Sequence, residues 1–188
     1  MIVRALVVLA ALFAFAGGAR SQEKGKSADE AAARETLSAV VGVRTKILAN
    51  ARSAATLGTQ REGSGVLVRE GYVATIGYLV IESESIEVTG ADAKSVPAAL
   101  AAYDHASGFG LLKLLAPLAG KPLPIGDSGA AVEREPALVA THGGDGVSVV
   151  RVVSRRAFSG SWEYMLDAAI FTFPPVMNWS GASLISAR

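Results

Sequence analysis

The side chains that could do chemistry in this chain are hydroxyls, carboxylates and just two histidines, His105 and His142. There is no cysteine, which excludes thiol catalysis, disulfides and cysteine-ligated zinc. Asp104, His105 and His142 have no recognisable metal-ligand spacing, so neither a metal nor a cofactor is expected. Where a serine hydroxyl is the nucleophile, it needs a base to take its proton and a third group to orient that base. Asp104 precedes His105, but neighbours on a strand point to opposite faces, so the pair does not make a base and its orienter. An exposed loop histidine is the plainer reading of His105. His142 precedes Gly143-Gly144 in a turn of the other half of the chain, with no evident route to the serine considered below. Asn178-Trp179-Ser180 matches an N-glycosylation sequon, a tripeptide common by chance. Arg151, Arg155 and Arg156 read as a solvated strand end. Phe171, Phe173 and Trp179 suit either a groove or a core.

The 188 residues, with 51% hydrophobic and 19% charged side chains, suffice for one domain with a real core. The first 21 residues are set apart from it. Arg4 gives a positive start, Ala5 to Ala16 is an unbroken apolar run, and Gly17-Gly18-Ala19-Arg20-Ser21 supplies small residues, with cleavage expected before Gln22. A helix of that run rises only about 18 Å, short of a bilayer core, so a cleaved signal peptide is expected and no lasting membrane span. Export to a periplasmic or extracellular space follows. Removing Arg4 and Arg20 from 18 basic residues leaves 16 against 17 acidic ones, a balance that argues against nucleic acid as a partner.

Residues 22–37 read as a polar linker and a short helix, with Ser27 and Glu30 as a capping box and Ala28 to Leu37 as its body. Strands are expected at Val40–Leu48, on Val41, Val43, Thr45 and Ile47, then at Val66–Val68 and from Tyr72. Further strands are expected at Ser85–Thr89, Val96–Ala102, Gly110–Leu115, Ala137–Thr141, Val147–Ser154 and Ala168–Phe173. Asn50 to Glu62 reads as a loop. Gly126-Asp127-Ser128-Gly129 and Gly143-Gly144-Asp145-Gly146 read as turns. Short strands at near-regular spacing behind one helix predict an all-β barrel or sandwich.

The segment Gly63-Ser64-Gly65-Val66-Leu67-Val68-Arg69-Glu70-Gly71-Tyr72-Val73-Ala74-Thr75 resembles the first barrel of HtrA-like (DegP-like) trypsin-like serine proteases. Tyr103-Asp104 to Leu114, Pro124-Ile125-Gly126-Asp127-Ser128, Leu138 to Gly144, and Asp167 to Ile170 with Asn178-Trp179-Ser180-Gly181-Ala182 continue the resemblance in order, over residues 38–188. It implies an all-β, trypsin-like double β-barrel with Ser180 at the nucleophile position. Backbone N–H groups of Ser180 and Gly181 then belong to the oxyanion turn, although Ala182 and Ser183 replace the family's second glycine and its proline. The base position falls on Tyr78 and the orienting aspartate on Gly108. A phenol with a reference pKa near ~10 is a poor base at neutral pH, and Gly108 has no side chain at all. Tyr78 is expected to pack against the barrel, its hydroxyl finding a partner.

The chain ends eight residues after Ser180, so the resemblance further implies that the last strands of the second barrel and the PDZ module are missing. Three functions stay open on this reading. One is a catalytically impaired protease homologue that binds extended or misfolded polypeptide by strand addition. Another is an active serine endopeptidase with an unconventional base. The last is an exported structural domain.

Overall fold

The computed structural model describes residues 2–4, 29–143, 146–160, 164–177 and 179–186. A helix over residues 29–37 (α1) leads into β2, Val40–Ile47, whose period-2 pattern buries Val41, Val43, Thr45 and Ile47. β3 (Gln60–Arg69) and β4 (Tyr72–Ile76) form a hairpin, followed by a 3-10 turn at Gly77–Leu79, then β5 (Ser83–Thr89), β6 (Ser95–Asp104) and β7 (Phe109–Leu114). These strands close into a barrel in the order β2-β3-β4-β7-β6-β5. Val66, Val73, Val88 and Leu112 sit at 0% exposure inside it. Each such side chain contributes roughly 1.5–3 kcal/mol on burial, and closure leaves the barrel without a free edge.

The second half is a five-stranded sheet that does not close among the described residues. It comprises β8 (Pro136–Ala140), β9 (Val147–Ser159), β10 (Met165–Phe173) and β11 (Ser183–Ser186), with β1 (Ile2–Arg4) added at one side, in the order β1-β11-β8-β9-β10. Ala140 and Ile185 of this sheet share one apolar cluster with the barrel, and Leu138 packs against it. The fold is thus all-β, as the strand spacing predicts.

Several boundaries differ from the sequence reading. Residues 50–62 are not one loop: they hold a short helix, α2 (Ala54–Leu57), and the start of β3, because Gln60 and Arg61 pair with Lys46 and Thr45. β9 runs on to Ser159 because β10 pairs along it, through two register shifts. Neither β1 nor β11 is expected from the sequence, each being too short to display a period. Within Gly126-Asp127-Ser128-Gly129, Asp127 caps a 3-10 turn at Ser128–Ala130 by accepting the Gly129 N–H at 2.7 Å. Ser27 of the capping box, Gly144-Asp145 and Asn178 of the sequon lie outside the described residues.

Candidate functional site

Ser180 occupies a tight turn in which the Ala182 N–H donates to the Trp179 carbonyl at 2.8 Å. The Ser180 carbonyl accepts the Ser64 N–H at 2.8 Å, tying the turn to the β3 hairpin. Gly181 has φ +69°, and a Cβ there would lie 1.9 Å from the Ser64 carbonyl oxygen. That oxygen in turn accepts the buried Thr75 hydroxyl at 2.7 Å. Only glycine meets both the φ and the space at position 181.

Tyr78 stands on the 3-10 turn after β4, half-buried against the barrel core. Its hydroxyl donates to Ser180 Oγ at 2.5 Å. The backbone beneath it is pinned by Arg61, a residue only 4% exposed, whose Nη1 donates to the Tyr78 carbonyl at 2.5 Å and whose Nη2 donates to Ser53 Oγ at 2.7 Å. Glu82 closes the set by accepting the Ser53 hydroxyl at 2.5 Å and the Ser53 N–H at 2.9 Å. These bonds, the hydroxyl foremost, hold the Glu82 carboxyl below its ordinary range. Burial lowers the Arg61 value, while Glu82 acts the other way. Nothing in the sequence period marks Arg61 or Glu82 as members of this network.

Gly108 is buried at φ +70°. Its carbonyl accepts the Gly77 N–H at 2.7 Å and its N–H donates to the Asp104 carbonyl at 2.8 Å. A Cβ at this position would meet the Tyr164 ring at 2.5 Å, so the space beside it is taken by an aromatic ring. Asp104 is exposed and accepts from the Ser107 hydroxyl and the Ala106 N–H, and these bonds hold it below the usual carboxylate range. His105 is exposed, its ring 4.5 Å from that of Tyr103.

His142 corrects the sequence reading, which saw no route from it to Ser180. Both residues line one cleft of about 430 Å³, together with Gly42, Ser64 and Met177 and the Arg44–Glu62 ion pair. The His142 N–H donates to Ser64 Oγ at 2.9 Å, so Ser64 connects it to the Ser180 turn. The imidazole lies over Gly42, where a Cβ would come within 2.5 Å of Cδ2 and 3.0 Å of Nε2. A glycine inside β2 was the available signal, since such residues often mark a close approach. Of the three aromatics left open, Phe171 is half-buried under the Arg156 guanidinium at 4.2 Å, while Phe173 and Trp179 are 65% and 62% exposed. Among the described residues no cluster of three acidic or histidine side chains could hold a metal.

What this arrangement can do follows from its donors. Ser180 Oγ accepts a hydrogen bond from a phenol, whereas a general base beside a serine nucleophile accepts one from it.

A family model described as the trypsin-like peptidase domain matches residues 63–185. None of the curated proteins matches this sequence. Among solved structures, the HtrA-type protease AlgW with a tripeptide superposes with a TM-score of 0.63 at 20% identity, covering 82% of this chain and 49% of that one. The Rv3671c protease of M. tuberculosis in its inactive form gives 0.58 at 19% identity, covering 81% and 73%. This chain therefore spans about half the length of AlgW. At these identities the likeness is one of fold.

Proposed function

The chain belongs to the trypsin-like peptidase domain family, and from that premise we propose that it is an exported serine-protease homologue of impaired catalysis that binds extended or misfolded polypeptide. The observation that carries this reading is the 2.5 Å hydrogen bond from Tyr78 Oη to Ser180 Oγ. The donor sits at the position the family resemblance gives to the base. With its lone pair engaged by a phenolic proton, Ser180 Oγ is a weaker nucleophile than a free hydroxyl. At the orienter position the Tyr164 ring fills the space beside Gly108. Two requirements of the acyl-transfer chemistry are therefore unmet together.

Peptide binding is supported by the cleft beside Ser180, whose lining includes the apolar side chain of Met177 at 78% exposure. The tripeptide in the AlgW structure is an occupant of the proposed class. Export rests on Arg4, the apolar run from Ala5 to Ala16 and the small residues after it.

A second reading, an active serine hydrolase with an unconventional base, draws on His142 lining the same cleft as Ser180. Treating wild type and Ser180→Ala with a fluorophosphonate probe separates the two. Impaired catalysis predicts no serine-dependent labelling and no casein cleavage, with denatured casein bound equally by both proteins. Labelling that requires Ser180 and is lost in His142→Ala replaces the first reading with the second.

A further inference from the structure

Apart from the three-residue β1, the open sheet is bounded by β10 at one side and β11 at the other, and the two have different surroundings. β10 is exposed or half-buried along its length, so its outward backbone groups can be met by water. β11 alternates buried Ser183 and Ile185, each 1% exposed, with half-buried Leu184 and Ser186, and its outer backbone edge is paired. The strand on that edge is β1, which pairs in parallel with Ile2 opposite Leu184, Val3 opposite Ile185 and Arg4 opposite Ser186. The third register position adjoins a carboxylate, because the Ser186 hydroxyl donates to Glu135 Oε1 at 3.2 Å. The three residues that fill the edge belong to the segment expected to leave on export.

We propose that the outer edge of β11 is a strand-acceptor site, filled within this chain by Ile2–Arg4, and that loss of this segment opens it to an extended apolar-apolar-basic segment of another polypeptide in the same parallel pairing. The site begins three residues after Ser180 and uses backbone groups, so it does not depend on the reactivity of that serine. The class of occupant rests on the peptide-binding reading above, and the pairing itself does not.

The full chain, which has no cysteine of its own, permits a direct test. Arg4→Cys with Ser186→Cys places two thiols on partnered residues of neighbouring strands, within disulfide reach. Mild oxidation is expected to join them. Arg4→Cys with Ser183→Cys is three residues out of register, roughly 10 Å along the strand, and is expected to stay reduced. Equal crosslinking of both pairs, or of neither, overturns the pairing.

For the acceptor, Val3→Pro with Arg4→Pro removes two consecutive N–H groups, one of which faces β11 because successive groups alternate in direction. A fluorescein-labelled hexapeptide of residues 1–6 is expected to bind this chain at least about ten-fold more tightly than the oxidised Arg4→Cys/Ser186→Cys chain, and equal affinity overturns the acceptor role. Amide exchange at Val66 and Leu112 reports whether the barrel stays folded. If the proline chain loses that protection, the comparison is made between reduced and oxidised forms of the cysteine pair, where reduction must admit the peptide. Hexapeptide binding without casein binding counts against the cleft reading alone, and the converse against the β11 edge alone.

Discussion

An aspartate at position 108, where the family resemblance puts the orienting group, is expected to damage the fold, and Gly108→Ala isolates the reason. Any L-residue at φ +70° carries a backbone cost of roughly 1–2 kcal/mol. Its Cβ would sit 2.5 Å from Tyr164 Cδ1 and 2.7 Å from Cγ, and forced overpacking costs roughly 1–3 kcal/mol. Backbone movement cannot relieve the clash freely, because the Gly108 carbonyl holds the Gly77 N–H at the base of the Tyr78 turn. The two costs together come to about 2–5 kcal/mol, a large part of the usual 5–15 kcal/mol of a folded domain. For a chain of this size that is a fall in Tm of several degrees, at roughly 2–4 °C per kcal/mol. Urea denaturation of wild type, Gly108→Ala, Tyr164→Ala and the double variant forms a cycle, in which Tyr164→Ala is expected to recover the steric share of the loss and leave the φ share. The reasoning is refuted if Gly108→Ala costs under about 1 kcal/mol, or if the two substitutions are simply additive. By the same argument, Tyr78→His with Gly108→Asp is expected to show no cleavage of casein.

Three other perturbations probe the same neighbourhood. Tyr78→Phe removes the bond to Ser180 Oγ and is expected to cost about 1 kcal/mol in urea denaturation, without making Ser180 reactive to fluorophosphonate. Glu82 has its folded value depressed by Ser53, so its ionised form stabilises the fold above the ordinary carboxylate range near ~4.3, and this contribution is lost as pH falls through the folded value. The difference in urea midpoint between wild type and Glu82→Gln should accordingly persist near neutrality and shrink below that range; a difference that grows on acidification contradicts the assignment. Thr45 is 1% exposed, and its hydroxyl has no partner among the described residues. Thr45→Val, similar in shape, should raise stability by up to about 1 kcal/mol in thermal denaturation.

The barrel was legible in the sequence because its strands announce themselves locally. Val41, Val43, Thr45 and Ile47 alternate inward, and Gly63-Ser64-Gly65 with Gly71 marks the hairpin that follows. The second half was less legible, since β11 has only four residues and β1 three, and their pairing joins opposite ends of the chain. Period analysis has no access to a contact of that separation. The site divides in the same way. Order along the chain led to Ser180, Tyr78 and Gly108, but the presence of tyrosine at position 78 does not say what its hydroxyl bonds to. That the phenol donates to Ser180 depends on how the 3-10 turn is held, and the holder is Arg61, a buried cation in a strand that otherwise reads as ordinary. His142 was missed because its approach depends on Gly42 of β2, a strand of the other half.

The nucleophile-like turn at Ser180 has a structural role that does not invoke catalysis. The backbone of the turn joins the two halves of the molecule. Ser64 donates to the Ser180 carbonyl, accepts the His142 N–H on its hydroxyl, and receives the Thr75 hydroxyl on its own carbonyl. Gly181 is wedged against that carbonyl with no room for a Cβ. Every one of these contacts would survive if residue 180 were alanine, because only its Oγ is spared from the junction. Ser180→Ala is therefore expected to cost about 1 kcal/mol, from the orphaned Tyr78 hydroxyl. Gly181→Ala, one residue on, must meet a 1.9 Å backbone approach and a φ of +69° and should cost at least about 3 kcal/mol. Urea midpoints of the two variants decide the matter. Comparable losses would mean that the hydroxyl itself holds the junction, and the separation of a structural backbone from a dispensable side chain would fall.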